Sequence, residues 1–269
     1  MSYAALLERM GQVNDLLNAK SILNWDALTK MPPGGAATRA KQLSTLSVLA
    51  RDLLVSDSTR SLLDGAGTHA TDSIAHVICT QVRQAIDYHL RIPAELVRRQ
   101  AELGSIGHEI WAHARANSDF AAFLPHLEKI VAANREAAEH IGYEGHPYDA
   151  LMHRFEPGET VATLKPLFAK LREGMLPLLR AIAQKDAPRI DFLERHYPAD
   201  QQLAFGLKMA EKLGYDLNRG RLDLTVHPFE VSFTRNDVRI TTRIVENWMP
   251  GSLFGTLHEA GHALYEQFS

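Results

Sequence analysis

The segment His258-Glu259-Ala260-Gly261-His262 combines residue types and spacing that suit a metal site. Histidines at i and i+4 share one face of a helix, so both imidazoles reach one ion without distorting the backbone. Glu259 is offset around the helix and is placed to take a proton from a water acidified by zinc. The chemistry that follows is metal-assisted amide hydrolysis, with His258 and His262 as ligands and Glu259 as general base. With 13 histidines in the chain, a chance match is on the order of a few per cent. The competing reading is a surface helix with two solvated imidazoles. Context favours the metal: the segment falls on a helix whose apolar face is expected to be Phe254, Leu257 and Leu264, and strand signals precede it. Catalytic zinc takes three protein ligands. Glu266, His227 and earlier carboxylates are candidates for the third, without a recognised spacing. The chain is expected to leave that ligand beyond Ser269.

The elements that must position this segment are mostly helical. Apolar residues recur at helical spacing over 3–20 and again over 36–54, after the break Met31-Pro32-Pro33-Gly34-Gly35. Ser118 is the expected N-cap of a helix through Phe120, Phe123, Leu124, Leu127 and Ile130, stopped at Gly142. Thr160 opens another through Leu164, Leu167, Phe168 and Leu171, and 198–213 forms a further one, closed by Gly214. After Gly220 the period changes to two. Leu222 to Phe233 and Asp237 to Val245 alternate apolar with polar, so an antiparallel two-strand ribbon is expected over 222–245, turning at Asn236-Asp237. A helix then starts near Ser252. The fold class is mainly α, a helical zincin-like architecture with a small antiparallel ribbon beside the histidine helix. It reads as one incomplete peptidase domain over 1–269, with a helical body to 219 and the ribbon and metal helix after 220.

Composition narrows the partners. The 269 residues are 45% hydrophobic and 23% charged, with a formal net charge of -3, enough chain to bury a sizeable core. No basic face stands out, so neither nucleic acid nor an anionic membrane surface is an expected partner. The N-terminal residues lack the pattern of a signal peptide, and no apolar run is long enough to span a bilayer. Cys79 is the single cysteine, which excludes an intrachain disulfide and a cysteine zinc cluster. A cytoplasmic protein is the expectation.

Several segments in order resemble the carboxypeptidase Taq family of metallocarboxypeptidases. They are Trp25-Asp26 with Met31-Pro32, Pro147-Tyr148-Asp149-Ala150-Leu151 with Glu156-Pro157-Gly158, His227-Pro228-Phe229, Asp237-Val238-Arg239-Ile240-Thr241, and His258 to Gln267. The resemblance implies a mainly helical, usually homodimeric enzyme, and it adds a substrate groove to the zincin-like architecture. It implies removal of C-terminal residues from peptides with zinc, or sometimes cobalt. It also implies His258 and His262 as ligands, a glutamate from a later helix as the third, and an arginine in later sequence for the substrate carboxylate. His227 would line the floor of the substrate groove, and the Asp237–Arg239–Thr241 motif would lie close to the metal. Ile244 stands where the family pattern has an aromatic residue. The chain by itself is accordingly expected to be an inactive N-terminal part.

Other residues are weighed against plainer roles. Arg239 and Arg243 are expected on one strand face, for substrate or for solvent. Asp237 is either an orienting partner of a ligand histidine or a turn residue. His227, ahead of a proline, is extended and suits a groove wall. His108, His113 and His126 are read as structural, and Trp25 and Trp111 as core anchors. The rival functions are a zinc endo-oligopeptidase of related helical fold and a non-catalytic helical scaffold that binds no metal.

Overall fold

A computed structural model describes residues 3–67 and 73–269. The helices are α1 (Tyr3–Thr29), α2 (Ala36–Val55), α3 (Asp57–Asp64), α4 (Ile74–Arg91), α5 (Ala94–Ala116), α6 (Phe120–Ile141), α7 (Pro147–Met152), α8 (Val161–Ala183), α9 (Ala199–Lys212) and α10 (Met249–Phe268). The strands are β1 (Gly220–Leu224), β2 (Glu230–Thr234) and β3 (Asp237–Thr242). The architecture is mainly α with one small sheet. Among the described residues, no helix is long and apolar enough to cross a membrane.

Local sequence explains most helix ends. Thr160 caps α8 through a reciprocal pair with Thr163, and Gly142 and Gly214 leave their helices at φ 85° and 109°, angles at which a Cβ is strained. The cap of α6 is Asp119, whose carboxylate accepts Ala122 N–H at 3.1 Å. Ser118, expected in that role, is instead left-handed at φ 53°. The first helix runs past Lys20 to Thr29, so Trp25 is helical. α8 buries none of its residues: Leu167, Phe168, Leu171 and Leu178 are all exposed.

The chain divides into two compact units, residues 1–20 with 34–184 and residues 21–33 with 185–269. In the first, Leu6 and Val13 of α1 pack with Leu54, Leu63, Val82 and Ile86, and Ile92 and Leu96 pack with Ala133 and Ala137 of α6. His126, 8% exposed, is satisfied by the Leu103 carbonyl at 2.8 Å, a structural role.

The second unit holds the sheet, and here the expected ribbon is corrected. The run from Leu222 to Phe233 is broken at 225–229, ahead of and across Pro228, into β1 and β2. The sheet order is β1-β3-β2. β2 pairs antiparallel with β3 around the turn Arg235-Asn236, but β1 pairs with β3 in parallel, Leu222 opposite Ile240. Alternation gives the sheet two faces. Leu222, Val238 and Ile240 pack on Ala210 of α9 and on Ala260 and Ala263 of α10. Arg221, Asp223, Asp237, Arg239 and Thr241 occupy the other face.

Candidate metal centre

Packing and hydrogen bonds fix α10 along its length. Gly206 of α9 lets Thr256 approach so closely that a Cβ there would lie 3.2 Å from Thr256 Oγ1. Thr256 Oγ1 is 3.0 Å from the Thr242 hydroxyl at the end of β3. Near the N-terminus, Ser252 donates to Gln202 Oε1 of α9. Near the C-terminus, Gln267 accepts Asp216 N–H and donates to Asp216 O, both at 3.0 Å. The buried stripe is Ser252, Thr256, Glu259, Ala260, Ala263 and Gln267. It differs from the expected one: Leu257 and Leu264 are half-buried, and Phe254 is 66% exposed. Small residues allow the close approach to α9 and β3 that a phenylalanine would prevent.

His258 and His262 leave α10 on its exposed side. Their Nε2 atoms are 3.3 Å apart, and the ring planes stand at 85°. Two imidazoles bound to one tetrahedral zinc at about 2.0–2.1 Å hold their nitrogens about 3.3–3.4 Å apart. The pair therefore fits a zinc-sized ion. Among the described residues, no group of three or more His, Cys, Asp or Glu side chains could hold a metal ion.

Glu259 is 7% exposed and faces a second carboxylate that the sequence reading missed. Glu230 opens β2, and its pKa is raised from 4.5 to about 7, first by burial and then by the charges of Glu266 and Glu259. Its Oε1 is buried with no hydrogen-bond partner. Glu230 pairs with Ile240, on the face of the sheet turned to α10. Period-2 alternation put it on that face, but nothing in one sequence said which helix the face would meet.

The Asp237-x-Arg239-x-Thr241 motif falls on the opposite face. Asp237 accepts both the Nε and Nη2 hydrogen bonds of Arg239 at 2.8 Å. Arg239 lies over the ring of Trp25 at 4.5 Å, with Arg221 over the same ring at 5.0 Å. Trp25 is 7% exposed, a core anchor as expected. Asp223, held by Arg221 and Lys30, completes this layer of charges. Asp237 is thus committed to Arg239, away from the histidines, and its geometry gives no support to a role in orienting them. Arg243 lies beyond β3 and is exposed.

Thr241 links the two motifs. Its hydroxyl accepts Phe229 N–H at 2.7 Å and donates to Phe229 O at 2.8 Å. His227-Pro228-Phe229 is thereby fastened to β3, with Pro228 close to Gly255 of α10, where a Cβ would find it at 3.8 Å. Thr241 is fully buried and positions its neighbours, and His227 is exposed.

A mainly helical chain with a paired-histidine helix beside a small sheet is the build of a metallopeptidase. The family model for the carboxypeptidase Taq (M32) metallopeptidases matches residues 5–269, and the chain belongs to that family. It is 34% identical to carboxypeptidase 1 of Bacillus subtilis over 270 residues, 97% of this chain and 52% of that protein. It is 36% identical to thermostable carboxypeptidase 1 of Thermus thermophilus over 280 residues, 99% of this chain and 55% of that one. Among solved structures, the M32 carboxypeptidase from Deinococcus radiodurans R1 superposes with a TM-score of 0.85 at 37% identity, over 98% of this chain and 54% of that one. The chain spans about half the length of the relatives it matches.

Proposed function

We propose that this chain carries the zinc-binding helix and general base of a metallocarboxypeptidase that removes C-terminal residues from peptides. The observation that carries the reading is the 3.3 Å separation of the two Nε2 atoms, which fits zinc, beside a buried Glu259 in a chain of this family. When bound, the ion supplies Lewis-acid polarisation of a water and of the scissile carbonyl. His258 and His262 hold it, and cobalt suits the same ligands. Glu259 accepts the proton of the attacking water and passes it to the departing amine. β2 is an edge strand, so its outer side can pair with an extended peptide, and exposed His227 is a further contact for that peptide. Arg239, Asp237 and Thr241 hold the sheet and the His227–Phe229 segment in place. Catalytic zinc takes a third protein ligand, which the family resemblance assigns to a later helix, and on that ground this chain alone is expected to turn over no substrate. A homodimer, as the resemblance implies, is part of the same reading.

The test is metal content and release of C-terminal amino acids from blocked dipeptides by a protein that joins this chain to the remaining half of a relative. Glu259→Gln should keep zinc and lose at least about a hundredfold in rate, whereas His258→Ala should lose both. Full activity in Glu259→Gln overturns the general-base assignment. Chelator-sensitive turnover by this chain alone, absent in Glu259→Gln, overturns the need for an outside ligand.

A further inference from the structure

Four basic side chains from separate elements of the first compact unit line one cavity of about 350 Å³: Lys20 of α1, Arg51 of α2, His89 of α4 and Arg154, which follows α7. A space of that size is in the range of small-ligand sites. Its remaining walls are largely apolar, Val13 and Leu54 among them. Arg51 is mostly buried; it donates to the carbonyls of His89 at 3.1 Å and Ile92 at 3.0 Å and pairs with exposed Asp52 through Nη1. That leaves its Nε–H buried with no acceptor, and His89 Nδ1 is likewise buried and unpartnered. Arg154 lies over the Tyr88 ring at 5.4 Å. Neither Lys20 nor Arg154 has an acid partner among the described residues. The two buried nitrogens without partners are costly unless a ligand answers them, and half-buried Lys20 and solvent-exposed Arg154 add positive charge at the rim.

We propose that this cavity binds the phosphate group of a small phosphomonoester. A tetrahedral oxyanion accepts hydrogen bonds from several directions, as donors on four different elements provide, whereas a carboxylate is matched by one planar fork. The positive charge that Arg154, Arg51 and Lys20 gather around the cavity points the same way, and burial with that charge keeps His89 a neutral hydrogen-bonding group. Burial, then Arg154, Arg51 and Lys20, lowers His89 to about 4, and burial with Arg154 lowers Lys20. The apolar walls and Tyr88 suit the organic part of the ester. The site is independent of the metal-binding helix, which belongs to the second unit.

The experiment is calorimetric titration of the metal-free chain with inorganic phosphate at low ionic strength, with chloride matched in ionic strength as control. Saturable binding at one phosphate per chain is expected, together with a change in the NMR signal of His89 Nδ1. Lys20→Met and Arg154→Met should each weaken it about tenfold, while His258→Ala leaves it unchanged. Arg51 is left alone because it also caps α4. Circular dichroism shows whether the methionine variants keep their helices; if either unfolds, the His89 signal in the parent chain decides. No saturable binding beyond chloride, binding insensitive to both folded variants, or a His89 signal that phosphate does not move overturns the proposal.

Discussion

Glu230→Gln tests whether a desolvated carboxylate lies beside Glu266 and Glu259. The Glu230 pKa is raised from 4.5 to about 7 by burial and by Glu266 and Glu259. Its folded form therefore holds a proton that the unfolded chain has released. As pH climbs from 4.5 to 7 that proton is lost from the unfolded state first, so stability falls across this window and is fully reduced above it. A rise from 4.5 to about 7 sets a ceiling of about 3.4 kcal/mol at 1.36 kcal/mol per unit. Glu230 is only partly buried, and solvent screening reduces the expected loss to about 1–2 kcal/mol. Glutamine fills the same space without ionising, so the variant should escape the loss. The assay is urea unfolding in chelator at pH 5 and pH 8, in a Trp111→Phe background, which leaves Trp25 and Trp248 reporting on the second unit. Relative to its parent, the glutamine variant should gain about 1–2 kcal/mol between the two pH values. A gap that changes by less than about 0.3 kcal/mol would show that the carboxylate is hydrated, and the argument from its burial would fail.

Three other substitutions test the sheet that supports α10. In Gly220→Ala the new Cβ would lie 2.1 Å from Tyr215 Oη and 2.4 Å from Val238 O, so β1 should detach from β3 at a cost above about 2 kcal/mol, read by hydrogen exchange at 238–242. Tyr215→Phe removes the donor to Val238 O at 2.6 Å, and the stranded buried carbonyl should cost about 1–3 kcal/mol in urea unfolding. Thr241→Val removes both bonds to the Phe229 backbone; it should cost a similar amount and speed exchange of the Phe229 amide while exchange at 258–262 changes little.

What could be read from residue order was local. The i, i+4 histidines could meet one ion because helix geometry alone brings them together, and the caps at Thr160, Gly142 and Gly214 follow from backbone and side-chain chemistry within a few residues. Alternation marked β2 and β3, and a turn of two residues made them a hairpin. The remainder depended on contacts between distant residues. Nothing in the period of Leu222 to Leu224 states that its partner is β3 or that the pairing is parallel, because alternation is the same for either direction. Which face of β3 meets α10 was also undetermined: the small side chains of Ala260 and Ala263 take Val238 and Ile240, and Arg239 then has to meet Trp25 on the other side. Glu230 became part of the site for the same reason. Its alternation was visible, but its neighbours Glu259 and Glu266 lie on a helix nearly thirty residues away, and only packing brings the three carboxylates close enough to shift a proton.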